Sequence, residues 1–394
     1  MSVWDDLVGQ DPVVAQLRSA ADGTVGTATS AGRPAGAPGG NMAHAWLFTG
    51  PPGAGRSTAA RAFGAALQCT ETPRGCGHCA SCHQVLQGTH ADVEVVRPAG
   101  LSYGVKETRE LVLRASSSPS GGRWQIVLFE DADRATEAAA NALLKAIEEP
   151  PPRTVWLLCT PSPDDLLVTI RSRCRLVTLR TPPVAAVADV LVQRDGVDRD
   201  TAEVVARAAQ GHISRARRLA TDPGARRVRA EVMAVPRRLT SVGPAVLAAE
   251  TLVKAAEAEA KTMAEELNET ETSALRQALG ESAKGRMPRG TAGALKDLED
   301  RQKSRATRVK RDSLDRALLD LASYYRDVLT LQLGAGAELV NTELAAELRT
   351  AAAQGPPEGT LRRLDAIMKC RERLGASVNP LLAVEALTMA LRTG

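Results

Sequence analysis

A glycine-rich segment that follows an apolar run has the composition of a phosphate-binding loop. It extends from Gly50 to Ser57, directly after Ala45–Thr49. Its glycines let main-chain N–H groups turn inward onto phosphate oxygens, and the positive end of the following helix points at the same anion. Ser57 stands where a hydroxyl would ligate Mg²⁺. The nucleotide-binding candidates here are Gly50, Pro51, Pro52, Gly53, Ala54, Gly55, Arg56, Ser57 and Thr58.

One position of this loop departs from the usual pattern, because Arg56 stands where a lysine is expected. A lysine acts as a compact point charge on the β- and γ-phosphates, whereas a guanidinium is larger and planar. We expect Arg56 to displace the phosphates or the loop and so to impair hydrolysis. The main-chain N–H groups and Ser57 leave the binding of ATP or ADP with Mg²⁺ open.

A pair of acids, Glu130 and Asp131, follows a second apolar run, Gln125–Phe129. A phosphate loop needs acids at the end of a second strand, one to hold Mg²⁺ and one to polarise the attacking water. The order here is the reverse of the Asp-Glu of active ATPases, and the shorter Asp131 would lie too far from the water. Alone, the pair is typical of a strand-end turn; beside the loop, we interpret it as a weakened Walker-B position.

Four cysteines, Cys69, Cys76, Cys79 and Cys82, form a C-x6-C-x2-C-x2-C pattern. Four thiolates suit tetrahedral Zn²⁺, and the two-residue gaps let turns aim the sulfurs at one ion. Free or redox-active cysteines are the alternative, but thiol pairs alone do not explain four at this spacing. Because four cysteines leave no open position, we predict a structural zinc, with His78 and His83 outside the shell.

Length and composition limit the remaining classes. A chain of 394 residues predicts two or three domains, and its net charge of +4 does not by itself imply nucleic acid. With 3% aromatic residues, an aromatic platform for single-stranded nucleic acid is not expected. No apolar run is long enough for a membrane span, so we expect a soluble, cytoplasmic protein with no membrane partner. The small and polar Asp22–Asn41 segment predicts a disordered insert.

Short apolar runs alternate with helical patterns in the first half of the chain. This alternation predicts a doubly wound parallel α/β sheet with ligand sites at the carboxyl ends of its strands. The predicted strands are Ala45–Thr49, Val93–Arg97, Gln125–Phe129, Val155–Cys159 and Leu176–Leu179. The predicted helices are Val13–Ala21 with Asp11 as N-cap and Pro12 as first helical residue, Ser57–Leu67, Val105–Ala115 and Ala138–Glu148.

The chain after Pro182-Pro183 is predicted to be all-α. Val184–Gln193, Arg199–Ala209 and Ile213–Ala220 form a small three-helix unit, and Ser313–Leu333 is the strongest later helix. A polar break is expected near Gly280–Gly293. The acidic Glu257–Glu271 and basic Arg301–Arg311 stretches are predicted to be solvated helix faces, a nucleic-acid role for the basic one being the less favoured alternative.

Three arginines at alternate positions, Arg171, Arg173 and Arg175, precede the last predicted strand. From their spacing alone, they read as an exposed edge that makes ion pairs. Lys106 and Arg109 open the Val105–Ala115 helix, where contact with a DNA phosphate backbone and a solvated face are both open.

The order of the motifs resembles that of the bacterial clamp-loader AAA+ subunits. The resemblance is most specific from Met1 to about Ala220 and looser beyond. The motifs shared in the same order are Val8-Gly9-Gln10, the Gly50–Ser57 loop, the four cysteines, Ala139–Lys145, Glu148–Pro151 and Ser172-Arg173-Cys174.

That resemblance implies three domains and a set of residue roles. Residues 1–181 would be the nucleotide-binding domain, 182–238 a helical lid and 239–394 a helical collar. Val8 would lie near the adenine, Thr160 would be the strand-end sensor and Arg215 the lid sensor. Arg173 would be an arginine finger that reaches into a neighbouring subunit's ATP site.

The resemblance also implies partners and leaves three functional readings. The partners would be other loader subunits in a hetero-oligomeric ring, the sliding clamp and primer-template DNA during replication. The favoured reading is a subunit with weak or absent ATPase that serves its neighbour's site; as part of a holoenzyme it would be classed with DNA-directed DNA polymerase. An ATP-hydrolysing motor subunit and a zinc-dependent nucleic-acid module are the alternatives.

Overall fold

The computed structural model describes residues 2–23, 42–98, 100–278, 292–376 and 378–393. Nearly all of the predicted Asp22–Asn41 insert, and most of the predicted Gly280–Gly293 break, lie outside the described residues. The chain divides into two compact units. The first comprises Met1–Pro98, Ser102–Arg199 and Gln210–Arg215; the second comprises Ala99–Leu101, Asp200–Ala209 and Ala216–Gly394. The three-domain division implied by the resemblance stays a prediction.

The first unit is built on a parallel sheet of five strands in the order β2-β3-β4-β1-β5. The three central strands are buried along their whole length, as expected of a sheet covered on both faces. The α/β prediction is confirmed: two strands match the predicted bounds, one differs by one residue at one end, and two differ by one residue at both ends. The strands are β1 Ala45–Thr49, β2 Val93–Val96, β3 Gln125–Phe129, β4 Thr154–Thr160 and β5 Arg175–Thr178.

The register brings the functional segments to one edge of the sheet. Thr49 at the end of β1 pairs with Thr160 at the end of β4, and Phe129 at the end of β3 pairs with Leu158. The glycine loop after β1 and the acids after β3 therefore emerge at the same carboxyl edge, where ligand sites of open α/β sheets lie.

Helices cover both faces of this sheet. On one face, Phe63 of α2 packs edge-on against Trp46, with ring centroids 4.8 Å apart. On the other, Tyr103 stacks on Phe129 at 4.1 Å. The helices are α1 Asp11–Asp22, α2 Arg56–Gln68, α3 Ala80–Gln87, α4 Val105–Ala115, α5 Glu137–Glu148, α6 Val168–Arg171 and α7 Val184–Asp195.

Most helices of this unit were predicted, with two exceptions and three shifted starts. Helices α3 and α6 were not predicted. Helix α1 begins at Asp11, so Gln10 occupies the N-cap position that the sequence assigned to Asp11. The three predicted helices after Pro183 are present, as α7, α8 and α9, with ends within two residues of the prediction.

The second unit is helical throughout the part that the structure describes. Its long helix, α13, buries a row of apolar side chains, Leu314, Leu318, Leu321, Tyr325 and Val328. None of the described helices is both long and apolar enough to cross a membrane. The helices are α8 Arg199–Ala208, α9 Ile213–Thr221, α10 Pro223–Met233, α11 Val235–Arg238, α12 Val242–Ala278, α13 Ala292–Gln332, α14 Ala345–Ala353, α15 Pro357–Gly375 and α16 Pro380–Thr393.

Opposite charges pair along α12 and α13. Arg305 on α13 binds both carboxylate oxygens of Glu271 on α12, each at 2.7 Å. Further along, Lys310 forms an ion pair with Glu257. The acidic and basic stretches were predicted to be solvated faces. They partly neutralise each other, because the antiparallel helices bring them side by side.

Candidate functional site

The loop between β1 and α2 has the backbone that a phosphate cradle needs. Gly50, Gly53 and Gly55 have φ angles of 146°, 87° and 88°, which side chains other than glycine rarely adopt. Helix α2 starts with Gly55 as its N-cap and has no side-chain cap. Its first N–H groups therefore remain for an anion at the positive end of the helix. The exposed Pro51, Pro52 and Thr58 flank this cradle, and Ala54 is buried beneath it.

Arg56, the residue that departs from the phosphate-loop pattern, is bound to its own loop. Its Nη1 atom donates to the carbonyl oxygen of Gly50 at 2.6 Å. The guanidinium is thus hydrogen-bonded to a main-chain carbonyl oxygen at the start of the loop. A lysine directed at phosphates would not make this contact in the same position, so the substitution changes the geometry as well as the shape of the charge.

Glu130, at the expected Mg²⁺ position, is held by two arginines. Arg97 binds it through two hydrogen bonds, Nε to Oε2 at 2.6 Å and Nη2 to Oε1 at 3.2 Å, and Arg61 binds Oε1 at 3.1 Å. The Glu130 side chain is only 9% exposed. Both oxygens are thus already engaged, and a metal ion would have to displace arginine. Sequence reasoning missed both arginines, because they are remote in the chain.

The residues after Glu130 turn sharply. Asp131 has a φ angle of 50°, in the left-handed region. Burial and the charge of Asp131 raise the pKa of Asp133, and Arg56 opposes this. One oxygen of Asp133 is buried with no hydrogen-bond partner. Asp133 is therefore a further acid close to the loop, which the sequence did not single out.

Thr160, the predicted sensor, ends β4 beside the loop. It is fully buried, and its hydroxyl donates to the carbonyl oxygen of Ser162 at 3.1 Å. The preceding Cys159 is also buried, and burial raises the pKa of its thiol, with a smaller opposing interaction from Ser57. The β4 end, the loop hydroxyl of Ser57 and the acids of β3 are thereby in one neighbourhood, as predicted.

The predicted lid sensor lies on a segment that touches the loop. Gly53 packs so closely on His212 that a Cβ atom there would lie 2.7 Å from the His212 Cβ atom. Arg215 follows on the first turn of α9, and its main-chain N–H donates to His212 Nδ1 at 3.4 Å. The structure thus brings His212, three residues before Arg215, to the glycine loop, and the sensor role of Arg215 stays a prediction.

The N-terminal segment reaches the same place. Val8 is half-buried, and the neighbouring Gln10 is 3% exposed. The Gln10 amide donates to Arg180 O at 2.6 Å and to Ala54 O at 3.4 Å, and it accepts from Arg180 N at 3.2 Å. The role of Val8 near a nucleotide stays a prediction, whereas Gln10 of the same segment contacts Ala54 of the glycine loop.

The candidate finger, Arg173, lies at the surface with its side chain 39% exposed. Its Nη2 atom contacts Glu148 Oε1 at 2.7 Å, and Nη1 donates to Thr169 O at 2.7 Å. Among the described residues, no contact links Arg173 to the chain's own glycine loop. Lys106 and Arg109 are both exposed on the first turns of α4.

The four cysteines come together as predicted. Their sulfurs all lie within 4.8 Å of one another, with Cys69 3.7 Å from Cys76 and 3.9 Å from Cys79. A zinc ion with Zn–S bonds of about 2.3 Å needs sulfurs about 3.8 Å apart, so the residues fit the ion. Main-chain N–H groups of Cys79 and Cys82 point at Cys76 and Cys79 sulfurs at 3.4 Å.

The local fold explains this arrangement. Gly75 and Gly77 have φ angles of 83° and 79°, which turn the chain between the ligands, and Cys79 caps the N-terminus of α3. Burial opposes ionisation of the Cys79 thiol, but N–H groups of Cys82 and Thr70 outweigh it and lower its pKa to about 6. A thiolate is the form that binds zinc. His78 and His83 are exposed, outside the group.

A parallel sheet with its glycine loop between β1 and α2, and helical units after it, defines an AAA+ type P-loop protein. Residues 36–183 match the family model described as DNA polymerase III, delta subunit. Residues 309–392 match the model described as its C-terminal part. The chain belongs to the clamp-loader subunit family of DNA polymerase III, and the resemblance seen in its motifs is confirmed.

Relatives from this family match part of the chain. DNA polymerase III subunit delta' of Escherichia coli is 40% identical over 145 residues, which are 36% of this chain and 43% of the relative. Subunit gamma/tau of Mycobacterium tuberculosis is 33% identical over 203 residues, 50% of this chain and 32% of the relative. The chain therefore matches less than half the length of either relative.

One solved structure is similar over most of the chain. The crystal structure of a gamma subunit-related protein of DNA polymerase III from Thermotoga maritima covers 89% of this chain and 94% of its own, with 16% identity and a TM-score of 0.37. At this level of similarity no residue role is transferred.

Proposed function

We propose that the chain is the delta-prime subunit of the DNA polymerase III clamp loader. In this role it does not hydrolyse ATP itself, and it completes the ATP site of a neighbouring subunit while the ring places the sliding clamp on primer-template DNA. One observation carries the proposal: Glu130 is held by Arg61 and Arg97 in its own site, whereas Arg173 is exposed.

The chain's own site would bind a nucleotide without hydrolysing it. The main-chain cradle and Ser57 support the binding of ATP or ADP with Mg²⁺. Hydrolysis would need an acid that can hold the metal ion and another that polarises water. Glu130 is engaged by two guanidinium groups, and Arg56 binds Gly50 O. Val8, Thr160 and Arg215 would line the nucleotide.

The neighbour's site would receive Arg173. A planar guanidinium can bind two γ-phosphate oxygens at once, and an arginine finger is worth about 10³-fold or more in hydrolysis. Its contact with Glu148 is an exposed ion pair, which costs little to exchange for phosphate. Supplied from outside, the finger would make hydrolysis depend on ring assembly.

The test is ATP turnover by the reconstituted loader with Arg173→Ala. We expect single-turnover hydrolysis at the neighbouring site to fall about 10³-fold. Arg171→Ala is the matched control, because Arg171 is two residues away and pairs with Asp164. Equal rates for the Arg173→Ala and wild-type loaders would contradict the proposal.

An ATP-hydrolysing motor subunit is the second candidate, favoured by the similarity to gamma/tau subunits. It predicts hydrolysis at the chain's own loop. If this candidate is correct, single-turnover hydrolysis occurs at this chain's own loop in the reconstituted loader. On the leading proposal, no turnover is seen, and Arg56→Lys alone does not restore it, because Glu130 remains held.

The remaining roles follow from the same proposal. The four cysteines would hold one structural zinc, which metal analysis of chain purified without chelator would find at about one ion per chain. Lys106 and Arg109 would contact the DNA backbone in the assembled ring, so their replacement by alanine would lower the salt dependence of DNA binding. The chain would act in the cytoplasm. It would have three domains, residues 1–181, 182–238 and 239–394.

A further inference from the structure

The N-terminal segment Ser2–Gln10, here called the strap, is fastened to the four-cysteine module at its start. The main-chain N–H of Val3 and the hydroxyl of Ser2 both donate to Gly75 O at 3.1 Å. The indole N–H of Trp4 donates to Arg74 O at 3.2 Å. Gly75 precedes the ligand Cys76, so these contacts meet the metal-binding loop directly.

This attachment is also closely packed. Val3 and Trp4 are 2% and 3% exposed. A Cβ atom on Gly75 would lie 2.7 Å from Trp4 Nε1 and 2.8 Å from Val3 Cγ2, closer than real contacts allow. The strap therefore lies on the module at a position where only glycine fits.

The end of the strap is fastened to the nucleotide loop. Gln10 makes three hydrogen bonds, two with Arg180 and one with Ala54 of the loop. Gly9 is close to Pro183, where an added Cβ atom would lie 2.9 Å from Cδ. In between, Arg194 pairs with Asp6 and donates to Asp5 O at 2.7 Å. Both ends and the middle of the strap are thus held.

We propose that the four-cysteine module positions the nucleotide loop through this strap, with Trp4 and Gln10 as the positioning residues. Metal binding would fix the conformation of Arg74 and Gly75, whose carbonyl oxygens accept the hydrogen bonds of the first strap residues. The strap would then be ordered along its length, and Gln10 at its end would hold Ala54 in place. Zinc binding and order of the loop are then linked, and each must strengthen the other equally. This inference rests on the zinc site of the proposed function.

Hydrogen exchange on the full chain tests the link. With zinc removed by a chelator, we expect the amides of the strap and of Arg180, which donates to Gln10, to exchange at least about tenfold faster. The amide of Ile126 in β3, which donates to Asp92 O, should keep its protection. If the strap and Arg180 keep theirs after zinc loss, the inference is wrong.

A pair of glycine variants tests the packing of the strap on the four-cysteine module. Gly75→Ala keeps all four cysteines but intrudes on Trp4, so we expect faster exchange at Arg180, as after zinc removal. Gly88→Ala is the matched control: Gly88 also has a positive φ, of 74°, but an added Cβ atom would meet nothing within 4 Å. Equal exchange at Arg180 in the two variants would contradict the role of the strap.

The reciprocal effect is measured from the other end. Gln10→Leu removes the anchors at Ala54 and Arg180 without touching a cysteine, and should lower zinc affinity about fivefold or more in a chelator competition. Gln16→Leu is the control, since Gln16 lies outside the strap and its amide donates to Leu176 O at 3.5 Å. Unchanged zinc affinity in Gln10→Leu would refute the coupling, even if the variant lost stability.

Nucleotide binding gives a separate outcome. If labelled ADP binds, zinc removal should weaken its binding by the same factor by which the absence of ADP weakens zinc binding. If ADP binds neither with nor without zinc, nucleotide binding under the proposed function fails. The exchange and zinc-affinity results still decide the coupling in that case.

Discussion

Two glutamate–arginine contacts in the first unit have opposite characters. Glu130 is 9% exposed and engages Arg61 and Arg97 at the carboxyl edge of the sheet. Glu148, at the end of α5, is 40% exposed and engages Arg173, which is itself 39% exposed. One arrangement is enclosed with several hydrogen bonds, and the other is a single surface contact.

Under the proposed function, this difference would let the chain lose ATP hydrolysis at its own site and still supply an arginine to a neighbour. Removing a buried partner leaves charges without compensation, so the Glu130 cluster resists exchange with metal or phosphate. Surface ion pairs contribute about 0–1 kcal/mol, so Arg173 can leave Glu148 for a stronger anion at little cost. Burial of the glutamate separates the two contacts, since Glu130 is 9% and Glu148 40% exposed, whereas Arg97 at 53% is more exposed than Arg173 at 39%.

The largest effect should come from removing the charge of Glu130. Glu130→Gln leaves Arg61 and Arg97 without their carboxylate, and we expect the free energy of unfolding to fall by about 2–3 kcal/mol in urea titrations. The arginines are partly exposed, which keeps the loss below that of a fully buried pair. Glu148→Gln is the matched variant and should cost less than about 1 kcal/mol. Similar losses in both would break the comparison.

A carboxylate without an arginine partner sharpens the comparison. Asp92 is 3% exposed; burial raises its pKa, but donors from Ser120, Gly121 and Gly122 outweigh this and lower it to about 2. Its contribution is therefore complete above the unfolded pKa of about 4 and lost as the pH falls toward 2.

The test is Asp92→Asn. We expect it to reduce the unfolding free energy by about 2 kcal/mol at pH 7 and to flatten the loss of stability between pH 4 and pH 2. Asp189→Asn, at an exposed ion pair with Arg199, serves as the control and should change both quantities little. An unchanged acid profile in Asp92→Asn would rule out this role.

The smallest effect is the coupling between Glu148 and Arg173. A double-mutant cycle with Glu148→Gln and Arg173→Gln should give about 0.5 kcal/mol at low salt and less in 0.5 M salt, because an exposed pair is screened. A coupling above about 2 kcal/mol that resists salt would place this contact in the same class as Glu130. Arg173 would then not be free to move.

Much of the first unit could be predicted from local signals. Unbroken apolar runs indicate β1 and β3 to the residue, because strands buried on both faces need apolar side chains at every position. The spacing from Cys69 to Cys82 gave the metal cluster. Helix α3 was not predicted, although a glycine follows its last residue. That glycine, Gly88, has the left-handed conformation common at the C-terminal end of helices.

The contacts that decide the chemistry could not be predicted in this way. Arg61 and Arg97 meet Glu130 only after α2, β2 and β3 come together, and no spacing in the sequence links them. Gln10 reaches Arg180 across most of the first unit's chain, and Arg56 finds its acceptor through the curvature of its own loop. Such pairings depend on tertiary structure, which local patterns do not encode.

The paired charges of α12 and α13 limit how the length of this hairpin can change. Arg305 pairs with Glu271, and Lys310 pairs with Glu257, so residue numbers rise along α13 as they fall along α12. The two helices are the antiparallel arms of the hairpin. Equal insertions of about seven residues, or two helical turns, in both arms would keep the paired faces together. An insertion in one arm alone would slide cations past their anions. We therefore expect the lengths of α12 and α13 to change together, by the same number of residues.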